Sequence, residues 1–215
     1  MEPEKPFTNR DFGLAAQGKI NNPAPVMQRY LPLGLIVALL IAFRALGSAF
    51  PETLPNFQPL AAVFFCGALL APGWRGFAFP FAAWAITYPL GVGHVYDASV
   101  FSTTLLALVS IFFLGKPFAN KSVPVLLLGS VAAAVVFHLI TNGAAWIGDP
   151  HYAKSLTGLW QSLWTGPVGS PLPSWVFLRN LAAANVLFTG IFALAQVRLP
   201  KPTVSIASTD FAKAR

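Results

Sequence analysis

The 215-residue chain is 55% hydrophobic and only 10% charged, whereas an ordinary soluble domain has about 25% charged residues. This composition excludes a typical soluble domain and predicts a protein that folds mainly in lipid. The formal net charge is +7, but no basic face with interleaved aromatic residues is present, so we expect no nucleic-acid partner.

Six apolar runs follow a polar, Pro- and Asn-rich segment of residues 1–30. The first run, residues 31–50, has about the 20 residues that a helix needs to cross about 30 Å of hydrocarbon. The later runs are residues 57–72, 76–92, 98–115, 123–147 and 174–199. We therefore predict an all-α, polytopic membrane bundle of about six transmembrane helices over residues 31–199. The segments 1–30 and 200–215 are predicted to be cytoplasmic tails.

The second and third runs are short for complete spans, and a tight turn at residues 71–76 separates them. Such a turn suits a helical hairpin whose ends barely clear the lipid headgroups. A re-entrant pair is the alternative topology. Both arrangements leave the later helices in the same orientation.

Basic residues gather on one side of the six-span topology. That side holds eleven of the 14 lysines and arginines: Lys5, Arg10, Lys19, Arg29, Arg75, Lys116, Lys121, Arg198, Lys201, Lys213 and Arg215. The opposite connections carry Glu52, Asp97 and Asp149 with only Lys154. Because cytoplasmic loops are enriched in Lys and Arg, we predict a multi-pass protein of the bacterial inner (plasma) membrane with both termini in the cytoplasm.

The longest outer connection, residues 148–173, contains apolar side chains at helical spacing. They are Leu156, Leu159, Trp160, Leu163 and Trp164. This pattern predicts an amphipathic helix that lies at the outer interface or folds over the bundle. A simple belt of interfacial aromatic residues is the alternative.

Two arginines, Arg44 and Arg179, fall inside apolar runs, in the outer halves of their predicted helices. A charge inside a membrane is costly, so each needs a partner or a water-filled cavity. The structural interpretation pairs Arg44 with Glu52, and Arg179 with Asp149 or Asp97. The functional interpretation places both arginines at the mouth of a ligand site.

A stripe of polar and aromatic residues runs along the fifth predicted span. His138, Asn142 and Trp146 are four residues apart, so they lie on one helix face that runs toward the outer surface. Hydrogen-bonding groups with an aromatic end would orient and stack a small polar ligand. Interhelical hydrogen bonding is the alternative. Further candidate wall residues are Thr141, Asn180, Asn185, Thr87 and Tyr88.

Several catalytic and metal-binding patterns are missing from the sequence. It has no phosphate-binding G-x-x-x-x-G-K-[ST] loop, so we expect no ATPase activity of its own. No nucleophile and base pair can be named, so we expect no enzymatic activity and no catalytic residues. The histidines are not at ligand spacing on one helix, and Cys66 is the only cysteine. We therefore expect no metal and no cofactor.

Two stretches of the sequence carry a family resemblance. Arg44 is followed by LPNFQP at residues 54–59, and FHLITN at residues 137–142 leads to Trp146. These stretches resemble an uncharacterised bacterial integral membrane protein family that is similar to S components, the substrate-binding subunits of energy-coupling-factor transporters. The resemblance covers roughly residues 40–195. It implies a six-helix fold whose ligand pocket opens on the outer side, beneath residues 51–56 and 148–173.

The resemblance also implies a function and partners. We predict a binding or uptake component for a small, vitamin- or cofactor-like molecule, which depends on a separate coupling subunit and ATPases. The predicted ligand-binding residues are His138, Asn142, Trp146, Asn56, Phe57, Arg44 and Arg179. The alternative is an accessory or scaffold subunit of a larger membrane complex, whose partners are the lipid bilayer and other membrane subunits.

Overall fold

The computed structural model describes residues 26–50, 52–70, 73–92 and 97–198, and every regular element in these ranges is helical. The elements are α1 (Val26–Ala49), α2 (Leu60–Phe65), α3 (Gly67–Leu70), α4 (Arg75–Val92), α5 (Ala98–Gly115), α6 (Val123–Gly148), α7 (Leu156–Leu163) and α8 (Ser174–Arg198). A 3-10 turn, Lys116–Phe118, follows α5. The predicted all-α class is confirmed. Of the predicted tails, residues 1–25 and 200–215 lie outside the described residues, whereas residues 26–30 belong to α1.

The chain divides into two units, residues 1–35 and residues 36–215. Of the first unit, only the beginning of α1 is described. The second unit holds the rest of α1 and all later helices.

Three helical stretches are long and apolar enough to cross a membrane, counted within the described ranges. They are Ala98–Phe118, Val123–Gly148 and Ser174–Ala195. A shorter apolar stretch, Ile36–Gly47, lies in α1. Large apolar side chains on these helices face outward, among them Leu106, Leu128 and Leu194. Such a surface suits contact with lipid.

Local sequence signals mark where the helices begin. The Asp97 carboxylate accepts hydrogen bonds from the backbone N–H groups of Ser99 (2.8 Å) and Val100 (3.1 Å), which caps α5. Ser155 caps α7 by accepting from the N–H of Gly158 at 3.2 Å. These side chains satisfy N–H groups that have no partner within the first helical turn.

The second predicted run, residues 57–72, forms two short helices instead of one. Pro59 precedes α2, and the helix is interrupted at Cys66 before α3 begins at Gly67. All six residues of α2 are buried. The break brings Gly67 against α4, where a Cβ would overlap the carbonyl oxygen of Gly76.

Glycines let several backbones meet at one level of the bundle. A Cβ on Gly115, at the end of α5, would overlap the carbonyl oxygen of Phe65 at the end of α2. A Cβ on Gly129 of α6 would come within 2.8 Å of the Phe65 ring. Together with the contact between Gly67 and Gly76, these approaches place the end of α2, the start of α4 and the end of α5 side by side.

Helix α6 packs against α2, α5, α7 and α8. Asn185 of α8 is fully buried and donates a hydrogen bond from Nδ2 to the carbonyl oxygen of Ser130 in α6, at 2.9 Å. This bond favours one register of the two apolar helices, because sliding would leave the buried Nδ2 donor unpaired.

Candidate ligand-binding cavity

A cavity of about 290 Å³ lies among α1, α4, α5, α6 and the connection of residues 52–59. Its walls are formed by Phe43, Arg44, Gly47, Leu54, Asn56, Phe57, Gln58, Leu60, Trp84, Tyr88, Val100, Thr104, Phe137 and Thr141. Small-molecule pockets range from about 300 to 1,000 Å³ and combine apolar walls with a few polar groups. The cavity is at the small end of that range and has both kinds of wall.

Arg44 is the charged member of this wall, and only 5% of its surface is exposed. Its Nε donates to the carbonyl oxygen of Thr87 at 3.0 Å, and its Nη2 donates to that of Tyr88 at 3.1 Å. The predicted ion pair with Glu52 does not form, since Arg44 turns to α4 and Glu52 is exposed. The arginine therefore ties the carboxyl end of α1 to the carboxyl end of α4.

The connection that covers the cavity is held in place on both sides of Asn56. Asn180 of α8 donates from Nδ2 to the carbonyl oxygen of Pro55 at 3.2 Å. The Phe57 ring packs 6.2 Å from Phe43 and 6.3 Å from Phe188, measured between centroids. These contacts give the cavity a fixed roof.

Asn56 has a positive φ of 57°. Asparagine adopts this left-handed conformation more readily than most residues other than glycine. Its exposed side chain lies on the cavity wall. The turn therefore presents an amide group at the cavity.

Stacked aromatic rings form the wall on the side of α4 and α5. Trp84 stacks on Phe101 with centroids 4.7 Å apart and an interplanar angle of 22°. Tyr88 packs edge-on against both rings, at 5.5 Å and 5.1 Å. Trp84 and Tyr88 line the cavity, and their packing against Phe101 behind them makes this part of the wall rigid.

The stripe predicted on the fifth span lies against α7 and its flanking connection. His138 is buried, and its Nε2 lies 2.9 Å from the carbonyl oxygen of Leu163. Asn142 Nδ2 lies 3.0 Å from both His138 Nδ1 and the His138 carbonyl oxygen. Trp146 Nε1 donates to the carbonyl oxygen of Ala153 at 2.9 Å. His138 and Trp146 thus bond α6 to α7 and its flanking connection, which matches the interhelical alternative, and Asn142 bonds to the His138 ring.

The hydrogen bonds of Asn142 also assign the tautomer of His138. Because Nδ2 of Asn142 donates to a backbone carbonyl oxygen, it also faces the His138 ring as a donor. Nδ1 then accepts, and Nε2 carries the proton that is donated to Leu163. The His138 ring thus joins α6 to α7.

Charged side chains in the connection after α6 form hydrogen bonds with the end of that helix and with each other. Lys154 Nζ donates to the carbonyl oxygens of Trp146 (2.5 Å) and Asp149 (2.8 Å), which caps the carboxyl end of α6. The backbone N–H and Nδ1 of His151 bond to Asp149 Oδ1 and lower the pKa of that carboxyl. Burial, followed by the Asp149 charge, raises the pKa of Tyr152. The connection is therefore an ordered cover of the bundle.

Arg179 lies outside the cavity wall. It is exposed, its guanidinium lies 5.2 Å from the Trp175 ring centroid, and its Nε donates to Asn180 Oδ1 at 3.2 Å. Ion pairs with Asp149 or Asp97, as predicted, do not form among the described residues. Arg179 thus bonds to Asn180, the residue that holds the roof of the cavity through its hydrogen bond to Pro55.

The structure thus separates the seven predicted ligand-binding residues into two groups. Arg44, Asn56 and Phe57 line the cavity together with Thr141 and Tyr88. The other four are not in the cavity wall: His138 and Trp146 bond to α7 and its flanking connection, Asn142 bonds to His138, and Arg179 bonds to Asn180. Ligand binding by either group stays a prediction.

Several residues of the cavity wall were not predicted, although the sequence contains a signal for two of them. Gln58 directly follows the predicted pair of residues 56–57, and Thr104 is a polar residue within an apolar run. Gly47 and Trp84 gave no such signal, because glycine and tryptophan are common in membrane helices of any function.

Comparison with known proteins identifies a family for this chain. Residues 25–203 match the model described as "Family of unknown function (DUF6580)". The chain belongs to this family. No curated protein and no solved structure matches it. The DUF6580 match includes every residue of the cavity wall, so the cavity lies within the family's shared region.

Proposed function

We propose that this DUF6580 protein is an integral membrane protein that binds a small molecule in the cavity beneath residues 52–59. The observation that carries this proposal is the cavity of about 290 Å³ with the buried guanidinium of Arg44 in its wall. A buried charge that costs stability is retained where it serves a site. The protein acts as a non-catalytic binding component.

A six-span topology is part of the proposal. Contacts at two heights along the bundle support it. At the first level, Arg44 bonds to Thr87 and Tyr88 near the carboxyl ends of α1 and α4. At the second level, Gly67 packs against Gly76 at the start of α4. The segment with α2 and α3 therefore runs from the first level to the second, opposite to α4. If α2 and α3 are counted together as one span, each span then runs opposite to the span before it.

The proposed orientation follows from charge. Arg75, Lys116 and Lys121 adjoin the level of Gly76 and Gly115, which the positive-inside rule assigns to the cytoplasm. The cavity then lies in the outer half of the inner membrane, and both termini are cytoplasmic. A ligand enters from outside.

Uptake requires an energy source that this chain does not carry. The sequence has no phosphate-binding loop, so transport depends on a coupling subunit and ATPases, as in S components. The ligand class in this proposal is vitamin- or cofactor-like. The roof of residues 52–59 and the ordered α7 connection support an S-component-like arrangement.

Native mass spectrometry of the protein released from lipid nanodiscs tests the proposed function. The wild type is expected to retain a small molecule, and Gly47→Leu is expected to lose it. A Cβ at Gly47 meets no atom within 4 Å, so the leucine side chain has room to enter the cavity without disturbing the helix.

Gly34→Leu is the matched control for this experiment. It makes the same change on the same helix at an exposed glycine that also has open space and is not in the cavity wall. Retention by Gly34→Leu and loss by Gly47→Leu support the proposal. Equal spectra for all three proteins, with nothing bound, contradict it.

The exposed face of α7 favours a second candidate function, an accessory or scaffold subunit. Leu156 is 84% exposed, Trp160 is 63% exposed, and Trp160 stacks on Trp164 with centroids 5.9 Å apart. Aromatic surfaces of this kind are typical of protein interfaces and of the membrane interface. Purification in mild detergent separates the two functions, since a scaffold brings a stoichiometric partner other than an ATPase-linked coupling subunit.

A further inference from the structure

The charge of Arg44 has no counter-ion in the described part of the chain. Its hydrogen-bond partners are two backbone carbonyl oxygens, which are dipoles without net charge. No described carboxylate lies within 4.0 Å of its nitrogen atoms. A buried charge without an opposite charge is unfavourable, so an anion in the adjoining cavity would stabilise it.

The guanidinium keeps donors for such an anion. Arginine has five N–H donors in a planar fork. The carbonyl bonds engage Nε and Nη2, and none of the hydrogen bonds within the described residues engages Nη1. A planar carboxylate matches the geometry of the remaining N–H groups.

The charge balance favours a monoanion. Among the described wall residues, Arg44 is the one lysine or arginine. One positive charge neutralises one carboxylate, whereas a phosphate monoester with nearly two negative charges would remain uncompensated in a buried site. Phosphorylated ligands are therefore disfavoured.

The remaining walls define the body of the ligand. Phe43, Phe57 and Trp84 are apolar and aromatic, and Thr104 and Thr141 add hydroxyl groups. At about 30 Å³ for each water-sized group, the cavity holds on the order of ten non-hydrogen atoms. A flat or short-chain apolar body of this size fits the walls.

We infer that the cavity binds a small organic monocarboxylate, with the carboxylate on Arg44 and the apolar body between the aromatic rings of α1 and α4. This inference rests on the proposed function and adds the chemical class of the ligand. The two bonds from Arg44 to α4 hold the guanidinium in place before the ligand arrives, so little side-chain ordering remains to be done on binding.

Calorimetric titration of the full chain in nanodiscs with matched acids and amides tests the inference. The probes are benzoate with benzamide and hexanoate with hexanamide, since each pair has the same shape and differs in charge. At least one carboxylate is expected to bind the wild type about tenfold or more tightly than its amide, the ratio expected for a charge-assisted hydrogen bond. Arg44→Met is expected to remove this preference, and Arg44→Lys to keep part of it.

The wild-type titrations alone decide the inference if Arg44→Met does not fold. Equal affinity for acids and amides, with both lost in Gly47→Leu, overturns the carboxylate class and leaves small-molecule binding in the cavity intact. Failure of every probe to bind the wild type also overturns the inference, while native mass spectrometry decides the proposed function independently. Carboxylate binding that Gly47→Leu leaves unchanged places the anion elsewhere and overturns the inference as well.

Discussion

Gly115→Ala is expected to lower the free energy of unfolding by about 3 kcal/mol, although it adds one methyl group. The new Cβ would overlap the carbonyl oxygen of Phe65, which is a backbone atom of α2. Helix α2 has no free side to which it can move, because all six of its residues are buried. SDS titration of the protein in mixed micelles measures the loss.

Gly190→Ala is the control for this prediction. It adds the same methyl group within α8, where the nearest atom of another helix would be Leu127 Cδ2 at an ordinary 3.9 Å. Alanine is a better helix former than glycine by about 0.5 to 1 kcal/mol, so this variant should be slightly more stable than the wild type. Equal effects of the two substitutions would show that α2 and α5 do not approach as described.

Asn185→Asp is expected to destabilise the protein by about 3 kcal/mol or more at neutral pH. Asn185 is fully buried in α8, within a helix apolar enough to cross a membrane. An aspartate near the centre of such a helix costs about 2.5 to 3.5 kcal/mol on insertion scales. The substitution also replaces the Nδ2 donor with an oxygen that faces the carbonyl oxygen of Ser130.

Asn185→Leu separates the cost of charge from the cost of shape. Leucine has the same branched arrangement of four side-chain heavy atoms and removes Asn185 Oδ1, a buried acceptor with no hydrogen-bond partner within the described residues. Its unfolding free energy should differ from the wild type by about 1 kcal/mol or less, since the single hydrogen bond that it loses is worth about 0.6 kcal/mol inside a membrane. If leucine were as harmful as aspartate in the same titration, shape and not charge would control this contact.

Much of the fold follows from apolar run length. The runs predicted at residues 98–115 and 123–147 correspond to α5 (Ala98–Gly115) and α6 (Val123–Gly148). Such bounds are readable because Asp97 and Ser122 stand directly before the runs. The break at Cys66 was not readable, since it depends on the approach of Gly67 to the backbone of α4, a contact distant in sequence.

The candidate site was only partly predictable from the sequence. The spacing of residues shows which side chains share a helix face, but it does not show which element packs against that face. His138, Asn142 and Trp146 share a face as predicted, but α7 and its connection cover that face. The amphipathic pattern predicted the helix α7, found at Leu156–Leu163, without showing where it docks. The position of Arg44 against α4 instead of Glu52 likewise depends on tertiary structure.

The most direct test of the cavity as a ligand site is anomalous diffraction from crystals grown with 4-bromobenzoate, which has a carboxylate and about the size that the cavity accommodates. We expect a bromine peak between Phe43 and Trp84, with carboxylate density about 2.8 Å from a nitrogen of the Arg44 guanidinium. A bromine peak on the lipid-facing surface or on α7, or an empty cavity at saturating probe, would contradict it.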